Sequence, residues 1–202
     1  MLIITAIGRC GTSFLARFCH EMGADIGEGR WLDGLDAGME DPEVCSINNA
    51  IVNQVSKGKA FDVEKIARRI KRISMPIIKD PQFTYHPLVL ETWLAARKDI
   101  KVVYLWRNPE DIAASCKSRP LMNGPNFRNH TDLIAEKQLE FNRTLKRNGV
   151  KFEKLSFPQF LHQDRKVIKL LNKLSDHPFH MTKSREVWEA LRDEKKVHHG
   201  QV

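Results

Sequence analysis

Three separated segments carry residue types that could grip an anion and act on it. Gly8-Arg9-Cys10-Gly11-Thr12-Ser13 leads out of the apolar, β-branched run LIITAI (residues 2–7) into a helical pattern. Backbone amides in such a glycine turn can point together at an oxyanion lying on the helix N-terminus. A plain strand-to-helix turn with Thr12 or Ser13 as its cap would look the same in this segment alone. Lys79 closes a second apolar run that includes Ile77 and Ile78, and Arg107 closes a third, IKVVYLW at 100–106. Ser115 follows eight residues after Arg107 and Arg119 four residues later, so the two share a helical face if the helix continues. Arginine offers a planar fork that matches phosphate oxygens, and a nearby hydroxyl adds a donor. Taken alone, Arg107 could instead pair with Glu110 or Asp111 while Ser115 faces solvent.

The loop does not satisfy the pattern of a Walker nucleotide-binding loop, G-x-x-x-x-G-K-[ST]. With its second glycine on Gly11, Ala6 stands where the first glycine belongs and Thr12 where the lysine belongs. The strand at 101–105 runs through Trp106 into Arg107, whereas a Walker B strand delivers an Asp to Mg²⁺. ATP or GTP hydrolysis is disfavoured on both counts.

The elements that must position these residues alternate. After the first strand and a helix ending at Gly23, Asp41-Pro42 reads as cap and first turn of a helix to about Ser56, and Asp62 as cap of a second to about Ile73. Asp80-Pro81 turns the chain toward a helix over about 88–97, with Asp80 mainly a cap, and Arg107-Asn108-Pro109 breaks the third strand before a helix over about 110–118. A long helix at 131–148, a fourth strand at 150–155 and short helices near 158–174 and 185–196, the last capped by Ser184, complete the pattern. Pro120 to Asn129 reads as a flexible loop. Strands alternating with helices predict an α/β protein: a three-layer parallel sheet flanked by helices, with ligands gathering at the carboxyl ends of the strands. Gly8 to Ser13, Lys79 and Arg107 all fall at such ends.

Composition narrows the class further. The 202 residues hold 33 Lys plus Arg against 25 Asp plus Glu, a formal charge of +8 that favours anionic ligands. A 42% hydrophobic and 29% charged chain is neither disordered nor low-complexity. No apolar run approaches the roughly 18 residues of a membrane span, and the start MLIITAIGRCGTS lacks the build of a signal peptide. A cytoplasmic protein is expected. Cys10, Cys19, Cys45 and Cys116 show no paired or zinc-ligand spacing, so reduced thiols and no metal site are expected. Between 57 and 72, seven basic residues face Asp62 and Glu64, with Ile66, Ile70 and Ile73 as an apolar stripe. This is either a solvated face or a guide for an acidic acceptor; nucleic-acid binding would want several interleaved aromatics, and Phe61 is the only one in the segment.

GRCGTS at 8–13, KDPQF at 79–83 and RNPEDIAASCKSR at 107–119 together resemble the PAPS-dependent sulfotransferases, in particular their tyrosylprotein and bacterial branch. The likeness covers about the first 120 residues in the right order. It implies a P-loop-like sulfotransferase fold forming one domain over 1–202, with the nucleotide-binding motifs in 1–120 and a loop and C-terminal helices of the same domain in 121–202. It also implies 3′-phosphoadenosine 5′-phosphosulfate (PAPS) as co-substrate, PAP as product and no required metal. Arg9, Cys10, Gly11, Thr12 and Ser13 would bind the 5′-phosphosulfate. Cys10 departs from the usual serine, which removes a hydroxyl donor and leaves the amide. Arg107 and Ser115 would hold the 3′-phosphate, joined by Arg119. Arg9 and Lys79 would stabilise the transferring group, and Glu40 would act as the base, although Glu40 could also be an exposed carboxylate near the helix that begins at Pro42, with Asp41 as the cap. His20 and His86 are the other base candidates. The acceptor would be a small molecule, glycan or peptide, an acidic one if the basic segment guides it. Two other readings remain: a P-loop small-molecule kinase, and a non-catalytic nucleotide- or anion-binding module.

Overall fold

A computed structural model describes residues 1–29, 31–32, 37–57, 62–118 and 130–198. The first strand, β1 (Leu2–Thr5), is fully buried on both faces, as a near-continuous apolar run in the middle of a parallel sheet must be. Helix α1 (Thr12–Glu21) follows, then the paired two-residue strands β2 (Trp31–Leu32) and β3 (Ala37–Gly38). Helices α2 (Pro42–Ser56) and α3 (Val63–Arg72) lead to β4 (Ile77–Lys79), and α4 (Gln82–Tyr85) and α5 (Pro87–Ala96) lead to β5 (Lys101–Trp106). The remainder is α6 (Pro109–Ser118), α7 (Thr131–Arg147), β6 (Lys151–Ser156), a 3₁₀ turn (Gln159–His162), α8 (Asp164–Leu174) and α9 (Met181–His198).

The main sheet is parallel throughout, in the order β4-β1-β5-β6. Alternate residues of each strand feed two apolar layers. Leu2, Ile4, Val103 and Leu105 pack with Phe14 and Phe18 of α1, Leu171 of α8 and Trp188 of α9. Ile3, Ile78, Val102 and Tyr104 pack with Ile47 of α2, Ile70 of α3, Trp93 of α5 and Phe141 of α7. Each fully buried Leu, Ile or Phe contributes on the order of 2 kcal/mol, so the two layers, rather than helix propensity, hold the helices in place. Trp188 is edge-on to both Phe14 and Phe18 at 4.9 Å and donates its indole N–H to the Leu161 carbonyl at 2.9 Å.

The expected parallel sheet with helices on both faces is observed. Asp62 caps α3 by accepting from the Lys65 amide at 2.9 Å, and Asp41 accepts from the Glu43 and Val44 amides at 2.9 and 3.0 Å. On α3, Ile66 and Ile70 are buried while Lys65, Arg68, Lys71 and Arg72 are exposed, and Arg69 pairs with Glu43 at 3.0 Å. The final helix corrects the expected cap: it starts at Met181, and Ser184 is buried within it, its Oγ without a hydrogen-bond partner among the described residues. The short β2–β3 pair and α4 have no counterpart in the sequence reading, because two to four residues carry no measurable periodicity. The expected loop from Pro120 to Asn129 lies outside the described residues. Among those residues, no helix is long and apolar enough to cross a membrane.

Candidate functional site

Because β1 lies between β4 and β5, the three segments that leave their carboxyl ends meet at one rim. The loop after β1 is held from below: the Gly8 amide donates to the buried Tyr85 hydroxyl of α4 at 2.8 Å. Arg9 and Gly11 both adopt left-handed backbone, with φ of 71° and 82°. Gly11 is required on two grounds, since a Cβ there would also stand 2.7 Å from the Phe157 ring. Gly11 is the N-cap of α1 and makes no side-chain cap hydrogen bond, so the helix N-terminus opens onto the rim. Cys10 points into the core and is fully buried; burial pushes its thiol well above the ordinary value. Its difference from serine therefore removes no donor from the rim.

The structure sorts the remaining candidates into two groups. On one side of the loop, the Arg9 Nε donates to Ser115 Oγ at 3.0 Å, and Arg107 Nη1 donates to the Arg9 carbonyl at 3.0 Å. The Arg107 guanidinium lies 5.0 Å from the centre of the Phe157 ring. Its Nε is buried without a hydrogen-bond partner among the described residues, the Asp111 carboxylate being 4.0 Å away and too far to serve. Arg9 thus sides with Ser115 and Arg107.

On the other side stands Lys79, only 3% exposed. Its ammonium donates to Ser13 Oγ at 3.2 Å and to the Gly38 carbonyl at 2.9 Å, and it forms an ion pair with Glu40. The β2–β3 pair is what brings Gly38 and Glu40 over the rim. Met39 between them takes a φ of 70°, rare for a side chain of that size. Asp80, next in sequence to Lys79, is buried and holds the turn: its carboxylate accepts from the Gln82 amide and from Asn48 Nδ2, both at 2.8 Å, and Asn48 Oδ1 accepts from the Trp93 indole at 2.8 Å. Burial pushes the Asp80 carboxyl above its ordinary value, against the pull of these hydrogen bonds and of Lys79.

Thr12 is buried at the start of α1. Arg119 lies outside the described residues. His20 is exposed in the last turn of α1, at the far end of that helix from the loop. His86 is held below its ordinary value by burial and by Lys137, and sits between α4 and α5. Among the described residues, no hydrogen bond or ion pair joins either histidine to the two groups. The sequence reading missed Tyr85, Phe157 and Gln138, the last donating its side-chain amide to the Arg107 carbonyl at 2.8 Å. None belongs to a motif, and no spacing marks them. Among the described residues, no cluster of three or more His, Cys, Asp or Glu is placed to hold a metal ion.

No family model and no curated protein matches the chain. Solved structures do. A sulfotransferase domain from the curacin biosynthetic pathway superposes with a TM-score of 0.53 at 15% identity, over 89% of this chain and 75% of that one. The sulfotransferase domain of the Synechococcus PCC 7002 olefin synthase gives 0.55 at 16%, over 89% and 74%. The YorR protein of Bacillus subtilis, solved with phosphorylated GDP, gives 0.51 at 16%, over 88% of this chain and all of that one. The chain has the α/β fold of these sulfotransferase domains, a parallel sheet flanked by helices.

Proposed function

We propose that this protein transfers a sulfuryl group from PAPS to a hydroxyl or amine acceptor. One observation carries the reading: a single glycine loop, on a sulfotransferase-type fold, is flanked by Arg9, Ser115 and Arg107 on one side and by Lys79, Ser13 and Glu40 on the other.

The donor set fits a ligand with two anionic ends. The Arg107 Nε is a buried donor with no hydrogen-bond partner among the described residues, which costs free energy unless an anion satisfies it. Arg107 and Ser115, with Arg119, would hold the 3′-phosphate; the amides of Gly11 to Ser13, with the hydroxyls of Thr12 and Ser13, would hold the 5′ end. When bound, PAPS supplies the sulfuryl group and a phosphate leaving group. Lys79 places a positive charge beside Ser13, where it favours negative charge developing on the leaving oxygen. Glu40 is the carboxylate nearest that ammonium, and on release from Lys79 one of its oxygens can accept the acceptor proton. Chemistry of this kind rests on positioning and electrostatics, and the two groups supply both.

The likeness to YorR, with its bound phosphorylated GDP, favours a second reading in which the loop serves phosphoryl rather than sulfuryl transfer. One assay separates them: the protein is incubated with ³⁵S-labelled PAPS or γ-labelled ATP plus Mg²⁺, over a panel of phenols, amines, glycans and tyrosine peptides. Label transfer from PAPS with matching PAP release is the expected result. Transfer only from ATP would establish a kinase, and PAP binding with no transfer to any acceptor a non-catalytic module.

A further inference from the structure

One anchor of Arg107 belongs to no motif and comes from α7, 31 residues further along the chain. Gln138 lies in α7 on the same helical face as Ile134, Phe141 and Leu145, all buried, and is itself only 5% exposed. A primary amide in an apolar stripe is costly unless its polar atoms are used, and a leucine would fill the position at lower cost. The amide is used: its Nε2 donates to the Arg107 carbonyl oxygen at 2.8 Å. That carbonyl lies where the chain leaves β5 for α6, so the bond sets the direction in which the Arg107 backbone launches its side chain. From there the contacts continue through Arg107 Nη1 to the Arg9 carbonyl, and from the Arg9 Nε to Ser115. Arg9 is held in left-handed backbone, a conformation a non-glycine residue keeps only when its surroundings impose it.

We infer that Gln138 is a positioning residue for the anion clamp: by holding the Arg107 carbonyl it aims the guanidinium, and so sets how strongly the protein distinguishes a nucleotide bearing a 3′-phosphate from one without it. This rests on the clamp reading above. Gln138 touches no ligand in this account and acts only through Arg107. A role confined to stability would weaken all nucleotides alike, whereas positioning weakens only the one that uses the clamp.

The test is calorimetric titration of PAP and AMP into the wild type, Gln138→Leu and Gln138→Asn, the last too short to reach the carbonyl but conservative enough to fold. The expected result is PAP affinity reduced about threefold to tenfold in both variants, as the loss of one hydrogen bond to a positioned group implies, with AMP affinity unchanged. In an Arg107→Ala background, Gln138→Leu should cause no further loss, because the residue through which it works is gone. A wild type that prefers PAP while both variants keep the full preference, or an equal loss of PAP affinity in the Arg107→Ala background, overturns the positioning role alone. A wild type that binds PAP no better than AMP removes the clamp and this role with it.

Discussion

Arg107 makes two kinds of contact, and they imply different costs on its removal. Its Nη1 bond to the Arg9 carbonyl and its position over Phe157 are internal, whereas its buried Nε has no hydrogen-bond partner among the described residues and is assigned to the 3′-phosphate in the proposed function. Arg107→Ala should therefore weaken PAP by on the order of 2 kcal/mol or more while changing AMP little, since it removes a charge-assisted contact to the 3′-phosphate. Titration of the two nucleotides checks this, and equal losses would mean that Arg107 only braces the loop. Lys79 should behave in the opposite way. Its ammonium is already engaged by Ser13, Gly38 and Glu40, and in the proposed transfer its charge would matter most as the leaving oxygen becomes negative. Lys79→Ala is expected to spare PAP affinity and lower kcat by about a hundredfold or more, at the scale of losing one electrostatic stabiliser. Gly11 is a purely steric case: Gly11→Ala combines a left-handed φ with a clash against Phe157, and should cost on the order of 2 kcal/mol, read as a lower Tm.

At the level of elements, the site is a junction of three strand ends with a cover built from β2 and β3. The turn after β4 depends on a buried carboxylate. With the Asp80 pKa raised above its ordinary value of 3.8, the unfolded chain releases this proton at lower pH than the folded protein does. Its contribution to stability is therefore fully present below the ordinary aspartate value and declines as the pH rises above it. Asp80→Asn should remove that decline, flattening Tm against pH on the alkaline side of about 4, and a wild-type-like slope in the variant would assign the dependence to another group. The strand ends were legible because long apolar runs such as IKVVYLW stop abruptly at a charged residue. The cover was not, because Trp31–Leu32 and Ala37–Gly38 are too short for a period-2 pattern, and their pairing is a tertiary fact. Ser184 misled for a related reason: cap-forming residues also occur inside helices, and only the packing of α9 on α1 and α8 decides where its first turn begins.

For the whole molecule, sheet order turns a sequence of distant motifs into one rim. Lys79 and Arg107 are far from Gly8 in the chain, yet β4-β1-β5 places their strands on either side of β1. That convergence was readable from strand–helix alternation. The partition of the rim was not. Arg9, expected at the transferring end, reaches Ser115, and Cys10, expected among the residues binding the 5′-phosphosulfate, has its side chain turned into the core. Side-chain direction in a loop with left-handed residues follows from backbone geometry that residue types alone do not specify. Gln138 was invisible for another reason: a glutamine within a long amphipathic helix reads as a surface residue until the helix is docked. The two-sided loop makes one central claim about the ligand, that it carries a phosphate at both the 3′ and the 5′ position.

Calorimetric titration of the wild-type protein with PAP, set against AMP and against ATP with Mg²⁺ at moderate salt, tests that claim most directly. The account predicts tight PAP binding, with AMP weaker by tenfold or more for want of the 3′-phosphate. PAP bound no better than AMP, or ATP with Mg²⁺ preferred to both, would contradict it.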